Sequence, residues 1–495
     1  MNSNATPLGL YGQAPLPGRQ GFRAALGMTT VTSIVLIAAA LAIAPATATA
    51  QSGGWEVLER TTADVMRSTR TPGVQVVVVR GDSVVYARGF GVADIETGAP
   101  MTPDLLAQVG SLTKPFTAAL VLTVAQRGTL SLRAPISRVV TGLGPKFRAL
   151  SISQLLSQTA GLGDREGSYG TSDEGALLRA ARELPDSVAF LPPGLSFSYS
   201  NLGFALAGLA AQEATKQPFA DLMRDRLLRR LGMTKATMRP LEAATYPRAQ
   251  GHKLTAKGDS VVVVRPIADD TRIWPAGYLY TSAREASRFL VALMNQGRVG
   301  GQQALATGVA DSMLATHVAL PGMPNATRYG YGMFLDTLRG YESAWHPGSM
   351  PGFSTLVRMI PAQRVGVVII ANRDEVRMDR VAEAALEDAL RPLGVRFSAP
   401  TPVVARLPEA ATGVKLADYV GTYRNRFPFE LRLTNGGLVL HRFGAELPVV
   451  PLGRDTFAVQ APGAPTVDRF VVVPARGVTP AYGQMFLWTF PRTTR

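Results

Sequence analysis

Ser111-Leu112-Thr113-Lys114-Pro115-Phe116 opens a helical stretch that runs to Gln126. Phe116, Ala119, Leu120, Thr123 and Val124 recur on one helical face, and Gly128 follows as a C-terminal stop. A separation of three residues puts the Ser111 and Lys114 side chains on the same face, about one turn apart. A neutral lysine in that position can take the serine proton, and a charged one can stabilise the developing alkoxide. Ser111 lies at the helix N-terminus, where free N–H groups favour negative charge. Pro115 removes an early helical hydrogen bond. The same residues also read as an N-cap serine beside a solvated lysine. Of the seven lysines, Lys114 is the only one with serine three positions before it.

On the N-terminal side of this helix lies a strand pair. Val74-Gln75-Val76-Val77-Val78-Val79 is nearly continuous in β-branched residues, Gly81-Asp82 supplies a turn, and Val84-Val85-Tyr86-Ala87 returns. On the C-terminal side, further helices are predicted at 201–211 and 283–295, then strands at 354–359 and 365–371. Strands first, helices in the middle and strands again predict an α/β (α+β) architecture: an antiparallel sheet whose two ends meet in space, flanked by helices. Pro400, Pro402 and Pro408 mark a linker over 398–415. Beyond it Phe429, Leu431 and Leu433 alternate with polar residues, Asn435-Gly436 turns, and Leu438 and Leu440 alternate again. With short strands at 447–452, 470–473 and 484–490, residues 416–495 read as a small antiparallel barrel or sandwich. No internal repeat is visible.

The first fifty residues read as an export signal. Arg19 and Arg23 precede an uncharged stretch from Thr29 to Ala44, and Ala48-Thr49-Ala50 fits a cleavage site before Gln51. That stretch is about 16 residues, short for a membrane span; an uncleaved anchor is the alternative. Residues 51–397 then form the main domain, and no later segment is apolar enough to span a bilayer. The expected location is periplasmic or secreted.

Composition narrows the chemistry. The 495-residue chain is 46% hydrophobic and 18% charged, enough to bury a large core. It has no cysteine, which excludes disulfides, thiolate metal sites and a cysteine nucleophile. The four histidines, His252, His317, His346 and His441, are far apart, so no metal or other cofactor is expected. The net charge of +15 comes mostly from arginine, without a dense basic run interleaved with aromatics. Nucleic acid is therefore not an expected partner.

Two further elements could carry chemistry. Tyr199-Ser200-Asn201 precedes a small-residue helix; a tyrosine can shuttle a proton when cations lower its pKa. Asn201 can orient a lysine or a substrate amide. The alternative is a turn tyrosine and a capping asparagine, and Tyr423-Arg424-Asn425 repeats the pattern. His346-Pro347-Gly348-Ser349 sits before the late strands. Pro347 belongs on an unpaired edge, which would leave the Ser349 N–H free for an oxyanion. His346 would face substrate or the serine–lysine pair, charged or neutral near pH 7. The alternative is a loop histidine.

In their order, these elements resemble the serine β-lactamase and penicillin-binding-protein superfamily, which carries Ser-x-x-Lys, then Tyr-x-Asn, then Lys- or His-x-Gly. The branch is that of the class C β-lactamase-like proteins, which include D,D-carboxypeptidases, D-aminopeptidases and esterases. The resemblance spans Trp55 to Asp374 and includes the run Leu155-Leu156-Ser157-Gln158-Thr159-Ala160-Gly161-Leu162 and Tyr329-Gly330-Tyr331-Gly332-Met333. It implies Ser111 as acylated nucleophile and Lys114 and Tyr199 sharing acid and base duty. Asn201 would hold Lys114 or substrate, His346 and Gly348 would flank the substrate, and the Ser111 and Ser349 N–H groups would form the oxyanion hole. Two positions depart from the pattern: His346 stands where class C β-lactamases use lysine, and Gln158 stands where a histidine is usual. The resemblance implies an ester, a D-amino-acid amide or a small peptide, peptidoglycan-derived ones included, as substrate. The alternatives are a β-lactamase, a penicillin-binding D,D-carboxypeptidase, or a non-catalytic envelope-binding protein. No Gly-x-Ser-x-Gly run points to an α/β-hydrolase.

Overall fold

The computed structural model describes residues 54–164, 168–320, 327–398, 407–424, 428–460, 467–476, 481–485 and 488–494. The predicted export signal and part of the predicted linker, including Pro400 and Pro402, lie outside the described residues, as does Asn425.

An eight-stranded antiparallel sheet forms the centre of the larger lobe. In chain order its strands are β1 (Gly73–Arg80), β2 (Ser83–Gly91), β3 (Val318–Ala319), β4 (Arg328–Tyr329), β5 (Phe334–Leu338), β6 (Tyr341–Met350), β7 (Phe353–Ile360) and β8 (Val365–Ala371). They lie side by side as β2-β1-β8-β7-β6-β5-β4-β3. The first strand therefore pairs with the last, Val74 opposite Ala371, so the two ends of the domain meet as expected.

Both faces of β1 are buried, which explains its unbroken valine run. Val76 and Val78 point into one core with Ile369, and Val77 and Val79 point into the other with Ile370. The helices α1 (Glu56–Thr69) and, near the end of the domain, Asp379–Leu390 cover the first face through Leu58, Val65, Val381 and Leu386. The opposite face carries α2 (Thr113–Gln126), α3 (Asn201–Thr215) and α4 (Ala283–Met294).

The nucleophile helix differs from its expected amphipathic form. Every residue of α2 from Thr113 to Val124 is buried. A helix that is apolar all round belongs in the centre of a core, and here Phe116 stacks on Phe289 of α4 with ring centroids 4.2 Å apart. Pro115 is the third helical residue, in the first turn, where an N–H lacks an intrahelical partner in any case. It therefore costs no helical hydrogen bond.

The C-terminal module is a closed barrel of eight antiparallel strands running from Gly421–Tyr423 to Trp488–Thr494. The stretch read from sequence as one strand over 484–490 is two strands, Tyr482–Met485 and Trp488–Thr494, with Gln484 opposite Thr489. Phe429, Leu431, Leu438, Leu440, Phe457, Phe470 and Phe490 fill the interior. Among the described residues no helix is long and apolar enough to cross a membrane.

Candidate active site

Ser111 sits in a 3-10 turn (Gly110–Leu112) that leads into α2 and packs against β6. The approach is tight. A Cβ on Gly348 would stand 2.0 Å from the Val109 carbonyl oxygen, and one on Gly110 would stand 2.6 Å from the Ser349 nitrogen. Glycine is thus required at both positions for the nucleophile turn to seat on the strand. Gly110 also has φ +57°, in the left-handed region. β6 pairs with β7 along Ala344–Met350, whereas β5 pairs with it only as far as Trp345. The Pro347–Ser349 segment is therefore a free edge beside Ser111, as proline at 347 requires.

Lys114 is fully buried, and its Nζ has three oxygen neighbours: Ser111 Oγ at 3.0 Å, Asn201 Oδ1 at 2.6 Å and the Ala276 carbonyl at 2.8 Å. The last two can only accept. They take two N–H groups, and the third tetrahedral position points at Ser111 Oγ. In the charged form that position donates; in the neutral form it offers the lone pair that could receive the serine proton. Burial pulls the Lys114 pKa down to about 7, opposed by the negative charge of Asp164.

Asp164 was not legible as a site residue in the sequence. It accepts from the Asn201 backbone N–H at 2.9 Å and from Asn201 Nδ2 at 3.0 Å. This fixes which end of the Asn201 amide faces Lys114. Gln158, where the pattern has histidine, takes a left-handed conformation with φ +60°. Its Oε1 accepts from the Ser200 N–H at 2.9 Å, and its carbonyl accepts from the Ser198 N–H at 2.8 Å. It therefore braces both sides of Tyr199.

Tyr199 is buried, with its hydroxyl hydrogen-bonded to Ser111 and its ring centroid 4.7 Å from Lys114 Nζ. Burial raises its pKa well above the ordinary tyrosine value, so it stands as a neutral phenol.

Of the two positions expected for it, facing substrate or the serine–lysine pair, His346 does not take the first. It is fully buried and does not line the cleft; the rings of Tyr199, Tyr329 and Phe334 surround it at centroid distances of 6.3, 6.4 and 5.3 Å. Its Nδ1 is 2.7 Å from the Pro347 carbonyl, so Nδ1 carries the hydrogen and Nε2 is an acceptor. Burial, with the Lys114 charge, lowers its pKa to about 3. It is a neutral group behind Tyr199.

The site opens into a cleft of about 990 Å³ lined by Ser111, Tyr199, Asn201, Gly348 and Ser349. Its outer wall carries both signs of charge, Lys253 and Arg377 beside Asp374, Glu375 and Asp379. The structure thus brings Ser111, Lys114, Tyr199, Asn201, Gly348 and Ser349 together and sets His346 behind them.

An antiparallel sheet flanked by helices, with a serine–lysine pair opening its central helix, is the architecture of β-lactamase and transpeptidase-like proteins. The chain belongs to the beta-lactamase family, whose members are serine hydrolases; the family profile, Beta-lactamase, matches residues 58–391. Penicillin-binding protein 4 of Amycolatopsis lactamdurans is 27% identical over 379 residues, covering 73% of this chain and 95% of that protein. Several Staphylococcus aureus relatives are 26% identical over 320 residues, and the chain spans 62% of their length. Among solved structures, SurE has a TM-score of 0.70 and 25% identity, covering 89% of this chain and 99% of that one. The D-alanine carboxypeptidase AmpC of Burkholderia cenocepacia has a TM-score of 0.54 and 25% identity, covering 67% of this chain and 97% of its own.

Proposed function

We propose that the protein is an exported serine hydrolase that forms an acyl-enzyme on Ser111 and acts on an ester or a D-amino-acid amide or peptide. The observation that carries this is the threefold setting of Lys114 Nζ, with two acceptors fixed and the third position aimed at Ser111 Oγ. The neutral Lys114 amine takes the Ser111 proton as Oγ bonds to the substrate carbonyl carbon. The oxyanion meets the N–H groups of Ser111 and Ser349. As the tetrahedral centre collapses, the Tyr199 phenol protonates the leaving oxygen or nitrogen, and the Lys114 ammonium returns a proton to Tyr199. Water then attacks the acyl-enzyme by the reverse relay. Of the two candidate bases the pKa directions favour Lys114, because burial weakens the lysine charge and disfavours a tyrosinate.

The preference for esters and D-amino-acid compounds over β-lactams rests on His346, whose neutral buried ring supplies no fixed positive charge for a β-lactam carboxylate. The mixed charges of the outer wall agree with a neutral or zwitterionic substrate. The names of the relatives, a penicillin-binding protein and a D-alanine carboxypeptidase, support acyl transfer from D-amino-acid compounds. Export is proposed from the arginine-flanked apolar stretch before Gln51. The test is covalent labelling by a fluorophosphonate and by a fluorescent penicillin, with turnover of a short-chain chromogenic ester, a D-amino-acid anilide and a cephalosporin. Labelling is expected in the wild type and absent in Ser111→Ala, with ester or anilide turned over faster than cephalosporin. A folded wild-type protein that takes neither label would instead be the envelope-binding protein.

A further inference from the structure

Tyr199 lies in a segment, Ser196–Ser200, that is neither helix nor strand yet is buried throughout. Irregular buried backbone must find hydrogen-bond partners outside itself. The N–H groups of Ser198 and Ser200 find theirs on Gln158. The Phe197 carbonyl is served from the C-terminal barrel: it accepts from Thr489 Oγ1 at 2.6 Å and from Gln484 Nε2 at 3.4 Å. Gln484 Oε1 in turn accepts from Ser196 Oγ at 3.4 Å. Gln484 and Thr489 face each other across one hairpin of the barrel, so they act as a unit. Both are buried, 3% and 0% exposed. Polar side chains buried this completely are costly unless they are paired, and here the pairing partner is the strand of chain two residues before the active-site tyrosine. The Phe197 ring is held as well, edge-on to Tyr329 at 5.2 Å. On the other side of Tyr199, Ser200 caps α3 by accepting from the Gly203 N–H. Tyr199 is thus strung between a barrel clamp and a helix cap.

We propose that the C-terminal barrel is a working part of the active site, its Thr489–Gln484 pair positioning Tyr199 through the Phe197 carbonyl. The inference deepens the hydrolase function proposed above and rests on it for its kinetic effect. A small displacement of a proton-transfer group costs about a hundredfold in rate for each ångström. Loosening the clamp should therefore slow acylation, while substrate affinity, set by the cleft walls, stays nearly unchanged.

The test compares the full-length wild type with Thr489→Ser, Thr489→Val and Thr489→Val/Gln484→Ala. Thr489→Val keeps the shape of the side chain and deletes the donor; Thr489→Ser keeps the donor. Two quantities are read: the acylation rate of Ser111 by a p-nitrophenyl ester, normalised to titrated active sites, and hydrogen exchange at the Ser198 and Ser200 amides. The double variant is expected to acylate about ten- to a hundredfold more slowly with KM changed less than about twofold. Its two amides should exchange at least about tenfold faster. Thr489→Ser should behave as wild type. Wild-type rates per site together with wild-type exchange in a folded double variant would overturn the proposal and leave the barrel a stabilising appendage. If the double variant does not fold, Gln484→Ala read in the same way decides. A wild type without acylation would defeat the hydrolase function, and the exchange measurement would still decide the clamp.

Discussion

Asp164→Asn probes the electrostatics of the site. The Asp164 carboxylate is one amide away from Lys114 Nζ, joined through Asn201, and its charge holds the lysine pKa up against burial. Two unit charges about 6 Å apart, the span of one bridging amide, interact by about 1.4–2.8 kcal/mol at an effective dielectric of about 40–20. That corresponds to about one to two pKa units. Removing the negative charge while keeping one carbonyl acceptor should therefore lower the Lys114 pKa from about 7 toward about 5–6. Because the neutral amine is the base, acylation rises with pH through this value, and its acidic limb should move down by the same amount. The assay is the pH dependence of kcat/KM for a chromogenic ester whose own hydrolysis is flat over pH 4–9, which reports the free enzyme. At pH 5.5 the variant should outpace wild type relative to its own plateau. A limb that stays put or moves to higher pH would refute Lys114 as the titrating base.

Gly348→Ala should cut acylation by at least about a hundredfold, because its Cβ would stand 2.0 Å from the Val109 carbonyl and push the Ser111 turn off the strand; labelling rates measure it. Phe116→Ala, which removes a ring stacked on Phe289 beneath the nucleophile turn, should cost about 3–5 kcal/mol in denaturant unfolding. His346 is held neutral when folded, with its pKa depressed from 6.5 to about 3, so the unfolded chain binds the extra proton first as pH falls. Stability should drop between about pH 6.5 and 3, and His346→Gln should flatten that slope by up to about 1.4 kcal/mol per pH unit while leaving the kcat/KM limb near pH 7.

The parts legible in the sequence are those whose geometry is local. A separation of three residues is enough to bring Ser111 to Lys114, and proline at 347 is enough to mark a strand edge. The β-branched run of β1, bounded by turn residues, and the alternating leucines of the barrel announce strands because both are local properties of the chain. What was hidden depends on contacts between distant segments. Asp164 is joined to Lys114 through Asn201, far from both in sequence, and the Ala276 carbonyl is a backbone atom that no residue type signals. His346 was expected to face substrate or the serine–lysine pair; it lies outside the cleft, enclosed by three aromatic rings from β4, β5 and the segment before α3. The grip of the barrel on Phe197 likewise joins residues nearly 300 positions apart, as Thr489 and Phe197 are.

The pairing of β1 with β8 also sets the timing of the protein's birth. Val74 finds Phe90 of β2 within the first hairpin but must wait for Ala371, 297 residues later, for its second strand partner. At about 5–20 residues per second of synthesis, that wait is about 15–60 s. During it the run Val76-Val77-Val78-Val79, paired with β2 on one side, keeps one open and aggregation-prone edge. The catalytic lobe therefore cannot fold stepwise behind the ribosome. The central sheet of the nascent chain stays incomplete until β8 has been made, and until then the free edge of β1 has nothing in its own fold to cover it.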